Sequence, residues 1–148
     1  ISINSEALRR PKLITEVANR FGSQCMVLSV QAKRRGNSWE AYYDNGREPS
    51  GIDVLDWVKR SENLGAGEIL LTSVDKEGTR KGFDVELMTM ASEITDVPII
   101  ASGGFGKVDH LADVINFGQV DAIAIADAIH YKRISVSDLR KSIFKITN

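Results

Sequence analysis

The chain has 148 residues, of which 43% are hydrophobic and 26% are charged, the composition of one globular domain with a single core. Its 19 Lys and Arg residues nearly balance its 20 Asp and Glu residues, which excludes the basic surface that nucleic acid or an anionic membrane would require. No apolar run reaches the ~18 residues of a membrane-spanning helix, and we expect a cytoplasmic protein.

Helical and strand-like segments alternate along the chain. Residues 1–4 have the character of the end of a strand. Apolar residues at helical spacing predict helices over 5–22, 52–67, 84–96, 107–118 and 135–146. Short apolar runs predict buried strands over 24–30, 68–74, 97–102 and 120–127. The single cysteine, Cys25, falls in the first of these runs and is predicted to be a small buried residue. Turn signals on both sides of 38–43 predict a hairpin arm there, which we regard as a candidate mobile flap.

This alternation predicts an α/β fold in which helices cover a parallel sheet. An open doubly wound sheet usually carries G-x-G-x-x-G after its first strand, whereas the glycine pair here follows the third complete strand. The late strands of a (β/α)8 barrel commonly end in a phosphate site. A whole barrel needs about 250 residues. We therefore expect residues 1–148 to form one domain, half of a (β/α)8 TIM barrel, whose open edges pair with a second copy as a homodimer or with a missing half.

The segment "VPIIASGGFGK", residues 97–107, carries the clearest candidate site. Gly103 and Gly104 lack the side chains that would keep a phosphate from backbone N–H groups. A tight turn that requires positive φ explains the same two glycines equally well. Asn4 and Ser5 follow the first strand end, where they serve either a second phosphate or a plain helix cap.

Acid and base candidates follow the strand over 68–74. Asp75 and Glu77 lie in a glycine-containing loop, which is either folded over the site for proton transfer or simply solvated. His110 and His130 have no metal-ligand spacing with each other or with Cys25. We predict neither a metal site nor a cofactor.

The motifs "SINS", "RFGSQCMVLSVQAKR", "WEAYYDNGRE", "LGAGEILLTSVDKEGTRKGFD" and "PIIASGGFGK" resemble, in order and spacing, the C-terminal half of the cyclase subunit of imidazole glycerol phosphate synthase. The resemblance covers nearly all of the chain, from a remnant of the fourth barrel strand to the last helix. It implies a lyase of histidine biosynthesis whose complete barrel is a duplicated half-barrel, each half with one phosphate site. It also implies a glutaminase subunit as partner, which supplies ammonia to close an imidazole ring on a bis-phosphorylated ribulosyl carboxamide ribotide.

The resemblance assigns roles to individual residues. Asn4 and Ser5 match the phosphate contact of the first half-site. Ser102, Gly103 and Gly104 match the second, and Thr72 matches the hydroxyl on the strand before it. Glu68 matches an acidic residue at the ammonia entrance, at the opposite end of the barrel.

Three departures separate this chain from the family pattern. The family's two catalytic aspartates end the first and fifth strands, and the first strand is absent here. Gln31 stands at the fifth-strand position, and an amide cannot exchange a proton near neutral pH. We hypothesise that Glu77 or Asp75 takes over part of that role. Asp127 stands where a small hydroxyl residue is expected, and its charge repels a phosphate unless it turns away or meets a cation.

Three interpretations follow. The first is the C-terminal half of a cyclase that makes imidazole glycerol phosphate, too short by itself to turn over. The second is a non-catalytic, phosphate-binding and ammonia-conducting subunit that serves a sugar amidotransferase in surface-polysaccharide synthesis. The third is a fragment that folds by dimerising and does nothing else.

Overall fold

The computed structural model describes residues 1–147, and its centre is a mostly parallel sheet. The strands are β1 Ser2–Ile3, β2 Val27–Arg35, β3 Ser38–Tyr43, β4 Glu48–Asp53, β5 Glu68–Ser73, β6 Ile99–Ser102 and β7 Ala122–Ala124. The helices are α1 Ser5–Arg9, α2 Lys12–Phe21, α3 Val54–Leu64, α4 Val85–Ser92, α5 Asp109–Asn116, α6 Asp127–His130 and α7 Val136–Thr147. Among the described residues, no helix combines the length and apolar character needed to cross a bilayer.

The sheet is open. Its order is β4-β3-β2-β5-β6-β7, and the short β1 pairs with the beginning of β2 on the same edge as β3. The pairs β1–β2, β2–β5, β5–β6 and β6–β7 are all parallel. This confirms the predicted α/β fold and is consistent with part of a (β/α)8 barrel, since helices separate these strands in the sequence.

One face of the sheet is covered by helices and the other is not. Along β2, Leu28, Val30 and Ala32 are buried, while Val27 and Ser29 alternate with them and are only half-buried. Helices α2, α3, α4, α5 and α7 contact one another in that order, as one layer does. Period-2 alternation therefore sends the large apolar side chains to the helical layer and leaves the alternate residues on an uncovered face.

The region between β2 and α3 differs from the sequence prediction. The arm over 38–43 is not a flap, because Trp39 and Ala41 are buried and β3 pairs with β2 and with an unpredicted strand, β4. Pairing with β3 also extends β2 to Arg35. The predicted helix over 52–67 begins only at Val54, because the Asp53 carboxylate accepts hydrogen bonds from two N–H groups of its first turn.

Three further sequence predictions were wrong. The helix over 5–22 is broken near Pro11, which has no backbone N–H to donate. Cys25 is half-buried in a 3-10 turn over Ser23–Cys25 that precedes β2, so it is not a core residue. The last strand covers only Ala122–Ala124, since Asp127 begins the short helix α6.

Asp84 ties three elements together, namely α4, β3 and β5. Its Oδ1 accepts a hydrogen bond from the Leu87 N–H at 3.2 Å. Its Oδ2 accepts from the Trp39 indole Nε1 at 3.0 Å and from the Ser73 hydroxyl at 3.1 Å. Trp39 and Ser73 are both buried, so this carboxylate satisfies polar groups that have no access to water.

We predict that Asp84→Ala lowers the free energy of unfolding by about 3 kcal/mol, because it removes a helix cap and leaves two buried donors unpaired. Urea unfolding followed by circular dichroism measures this loss. The matched control is Asp113→Ala, since Asp113 is exposed in the middle of α5. It is expected to change stability by less than about 0.5 kcal/mol. Equal losses for the two variants would contradict the role given to Asp84.

Candidate functional site

One row of side chains crosses the sheet near the carboxyl ends of its strands. The register aligns Gln31 with Thr72, Thr72 with Ser102 and Ser102 with Ala124. Residues in register on parallel strands share a face, and this row lies on the face that the helices leave uncovered. Within residues 1–147, the side chains of Gln31, Thr72 and Ser102 make no hydrogen bond. Gln31 and Ser102 are half-buried, whereas Thr72 between them is buried.

Beyond the end of this row lies a cavity of about 230 Å³. It is bounded by the turn after β6, the turn after β7 and the loop over 75–83. The polar residues and glycines of its lining include Glu77, Arg80, Ser102, Gly103, Gly104 and Asp127. Five of the predicted site residues, Glu77, Ser102, Gly103, Gly104 and Asp127, therefore surround one space.

The two turns bring unpaired backbone donors to the cavity. The N–H groups of Gly103, Gly104 and Phe105 donate to no acceptor among the described residues, and the same holds for the N–H groups of residues 126–128. Successive free N–H groups in a turn attract anions, and phosphate oxygens are their usual ligands in proteins. The cavity is thus equipped to bind a phosphoryl group through its backbone.

The turn conformation also requires the two glycines. Gly103 and Gly104 have φ of 91° and 100°, which L side chains rarely adopt. A Cβ at Gly103 would lie 2.8 Å from the carbonyl oxygen of Ser73, and one at Gly104 would lie 2.1 Å from that of Gly82. Glycine is needed here for close packing whether or not an anion binds, so the free N–H groups and not the glycines themselves indicate a site.

Asp127 meets two cations at the rim of the cavity. Its Oδ2 accepts from Arg80 Nε at 2.9 Å and also from Arg133 Nη2. These hydrogen bonds hold the pKa of Asp127 below its usual value. The hydrogen bond from Arg133 contributes most, and the one from Arg80 comes next. The carboxylate is therefore ionised but neutralised, the condition under which it can stand beside a phosphate.

Neither arginine was predicted from the sequence. The only signal there was that Asp127, next to a proposed anion, demands a cation. Arg133 lies six residues further along the chain, within reach by local structure, whereas Arg80 lies 47 residues before Asp127. Only the tertiary packing of the loop over 75–83 brings Arg80 to this place.

The two acid and base candidates differ in their surroundings. The carboxylate of Asp75 accepts a hydrogen bond from the Arg34 backbone N–H at 2.7 Å and does not line the cavity. Glu77 lines the cavity and is exposed, and its side chain makes no hydrogen bond or ion pair within residues 1–147. Of the two, only Glu77 lies at the cavity.

Asn4 and Ser5 lie on the other side of the row, beside β2. Asn4 Nδ2 donates to the Ser29 carbonyl oxygen at 3.1 Å, and the Ser5 hydroxyl accepts from the Asp44 N–H at 2.9 Å. Asn4 makes no side-chain cap on α1, so the plain helix cap was the wrong alternative for it. These two residues do not join the cavity, from which β2 and β5 separate them.

Glu68 lies at the opposite end of the sheet. It is the first residue of β5, pairs in register with Val27, and shares the uncovered face with Thr72 four residues later. No group of three or more His, Cys, Asp or Glu residues in the part of the chain that the structure describes is arranged to hold a metal ion.

We predict that Gly104→Ala lowers the free energy of unfolding by at least about 2 kcal/mol, because the methyl group meets a backbone oxygen that cannot move away easily. The control is Gly36→Ala, where φ is +60° and a Cβ meets nothing within 4 Å. Its expected cost is about 1 kcal/mol, from backbone conformation alone. Urea unfolding of both variants gives the comparison, and equal costs would show that the loop over 75–83 does not pack closely on this turn.

A comparison with protein-family models agrees with the geometry. The model described as "Histidine biosynthesis protein" matches residues 1–135, which include all seven strands and every site residue discussed above. The family consists of TIM-barrel-type enzymes of histidine biosynthesis, in keeping with the open parallel sheet and a site at its carboxyl end. The chain belongs to the histidine biosynthesis protein family.

Proposed function

We propose that this chain is the phosphate-binding C-terminal half of a cyclase subunit of imidazole glycerol phosphate synthase. The observation that carries the proposal is the cavity beside Ser102, into which two turns bring unpaired backbone N–H groups. Free backbone donors select for an anion with several oxygen atoms, and a neutral ligand would gain little from them. A phosphorylated small molecule is the ligand class that fits.

The rest of the substrate has a place along the row. Gln31 and Thr72 lie between the cavity and the strand end that carries Asn4 and Ser5. A bis-phosphorylated substrate held by its two ends would cross this row, with the polar groups of Gln31 and Thr72 facing its middle. The support is stronger for the phosphate at the cavity, because Asn4 and Ser5 already have protein partners.

The reaction that we propose closes an imidazole ring. Ammonia attacks the ribulosyl carbonyl, water leaves as an imine forms, and ring closure then breaks the bond to the carboxamide ribotide, which is released together with imidazole glycerol phosphate. Each step moves protons between nitrogen and oxygen atoms, so it needs a group that both gives and takes them. Glu77 is free for this task at the rim of the cavity, while Gln31 positions the substrate by hydrogen bonds.

The uncovered face suggests how ammonia and partners reach the site. We propose that ammonia from a glutaminase subunit enters near Glu68, at the amino end of β5, and moves along the uncovered face towards Thr72. This requires the face to be enclosed by a second half-barrel, either a preceding segment of the protein or a second copy in a homodimer. Two open strand edges offer the unpaired N–H and C=O groups for such pairing.

A second function is favoured by Gln31. Within residues 1–147 the row across the sheet contains no carboxylate, so the proton transfer expected of a cyclase has no group at its centre. A subunit that binds a phosphate and conducts ammonia to a sugar amidotransferase needs no such group. The two functions share the cavity and differ in whether Glu77 takes part in chemistry.

We predict that inorganic phosphate and glycerol phosphate bind at the two turns of the cavity. In ¹H–¹⁵N correlation spectra of the chain, the amide signals of Gly103, Gly104 and Ala126 should shift in a saturable manner. Glycerol alone should leave these signals in place, and Gly36, in the β2–β3 turn, is the internal control for unspecific effects. Equal shifts at Gly36 and Gly104, or none at all, would remove the basis of the proposed function.

For the complete protein with its glutaminase, we predict that Glu77→Gln lowers ammonia-dependent cyclisation about 100-fold and removes one limb of the pH–rate profile. The control is Asp75→Asn, which alters a carboxylate of the same loop that does not line the cavity. It should leave the shape of the profile unchanged. If Glu77→Gln retains the parent profile, the non-catalytic function is favoured over the cyclase.

A further inference from the structure

Arg80 is the only cation among the described residues that line the cavity. Asp127 holds its guanidinium from one side, with Arg80 Nε 2.9 Å from Oδ2 and Arg80 Nη2 3.4 Å from Oδ1. The remaining nitrogen, Nη1, donates to no residue within 1–147. A guanidinium has five N–H groups in a rigid plane, so the two hydrogen bonds to Asp127 leave the Nη1 donors free and fix their orientation.

Arg133 neutralises the group that holds Arg80. Its Nη2 donates to the same carboxylate oxygen of Asp127, and its guanidinium lies 4.9 Å from the centre of the Tyr131 ring. Together Arg80, Arg133 and Asp127 carry one net positive charge, which the Glu77 carboxylate on the same lining opposes. A dianion that enters is therefore attracted by local donors, the free N–H groups of Arg80 and of the two turns, and not by a net positive field.

The backbone at Arg80 is unusual for its residue type. Its φ is +59°, in the left-handed region where glycine is favoured. Its carbonyl oxygen packs so closely on Gly106 that a Cβ there would lie only 2.2 Å from it. Packing of the loop over 75–83 against the turn after β6 thus fixes the point from which the side chain starts. The Arg80 side chain is therefore constrained at its backbone by loop packing and at its guanidinium by Asp127.

On the basis of the proposed function, we propose that Arg80 is a phosphate-binding residue of this site and that Asp127 is a positioning residue for it. Asp127 holds the side-on edge of the guanidinium, Arg133 offsets the charge of Asp127, and the free donors of Arg80 face the ligand. This explains why the site tolerates the Asp127 carboxylate at a position where a small hydroxyl residue was expected. The ligand class is a phosphate monoester.

Calorimetric titration of the chain with inorganic phosphate and with glycerol phosphate, at low ionic strength, tests the role of Arg80. Arg80→Met should raise Kd about tenfold, the effect of losing a charge-assisted contact. Arg80→Lys should recover part of the affinity. Arg80→Gly is a second variant that suits the backbone conformation, so its fold is preserved while the side chain is lost. Arg140→Met, at an exposed arginine of α7 that does not line the cavity, is the matched control and should leave Kd unchanged.

The role of Asp127 is tested by a double-mutant cycle. Asp127→Asn should weaken phosphate binding in the parent, because Arg80 loses its fixed orientation. In the Arg80→Met background the same change should strengthen binding, since only the repulsion of a carboxylate is then removed. A purely structural role for Asp127 would weaken binding in both backgrounds, and a purely repulsive role would strengthen it in both. Either result would overturn the positioning role.

The outcomes separate this inference from the function on which it rests. If the parent binds phosphate and Arg80→Met or Arg80→Gly binds equally well, the role of Arg80 is overturned and the proposed phosphate site stands. If the parent shows no binding to either ligand, both are overturned. Loss of affinity confined to the Arg80 variants, with the sign reversal at Asp127, supports the inference.

Discussion

The close packing of two backbone segments is the constraint on which the site depends. The loop over 75–83 lies against the turn after β6, and the N–H of Gly82 donates to the carbonyl oxygen of Gly104 at 2.9 Å. Only glycines permit this approach at 104 and 106, because a Cβ at either would lie within 3 Å of a backbone oxygen of the loop. Gly103 is held as closely against the carbonyl oxygen of Ser73, at the end of β5. Asp84 fixes the end of the same loop by capping α4 and accepting from Trp39. The loop is thus anchored on both sides, and it carries Glu77 and Arg80 to the cavity.

The parallel register supplies the second part of the site. The strands differ in length, but the parallel register pairs Gln31 with Thr72 and Thr72 with Ser102, so these three residues are aligned. This places the available polar groups of three strands at the same height, at the carboxyl end of the sheet where α/β folds bind ligands. The same register places Glu68 at the other end of the uncovered face. A path along this face therefore connects the two ends without crossing the helical layer.

The sequence predicted the elements that depend on local patterns and missed those that depend on distant partners. Apolar runs and glycine stops located the parallel strands and most helices, since the apolar character of a strand and the termination of a helix are encoded nearby. Strand β4 escaped notice because Glu48, Pro49 and Gly51 have poor strand propensity, and its pairing with β3 could not be read from local sequence. The same limit applies to the site. Ser102, Gly103 and Gly104 are neighbours in sequence, whereas the contact of Arg80 with Asp127 spans 47 positions and required the fold.

Gln31 and Asp127 both differ in charge from the residues that the resemblance implies at their positions. In the row across the sheet an amide, Gln31, stands where the resemblance implies a carboxylate, while at the rim a carboxylate, Asp127, stands where it implies a neutral hydroxyl. The carboxylate at the rim is neutralised by two arginines, so it adds structure to the site without repelling an anion. The centre of the row is left with hydrogen-bonding groups that do not titrate near neutral pH. Under the proposed function, the rim favours binding of a phosphate while the centre of the row offers no group for proton transfer, so a carboxylate such as Glu77 would have to supply that transfer for the ring to close.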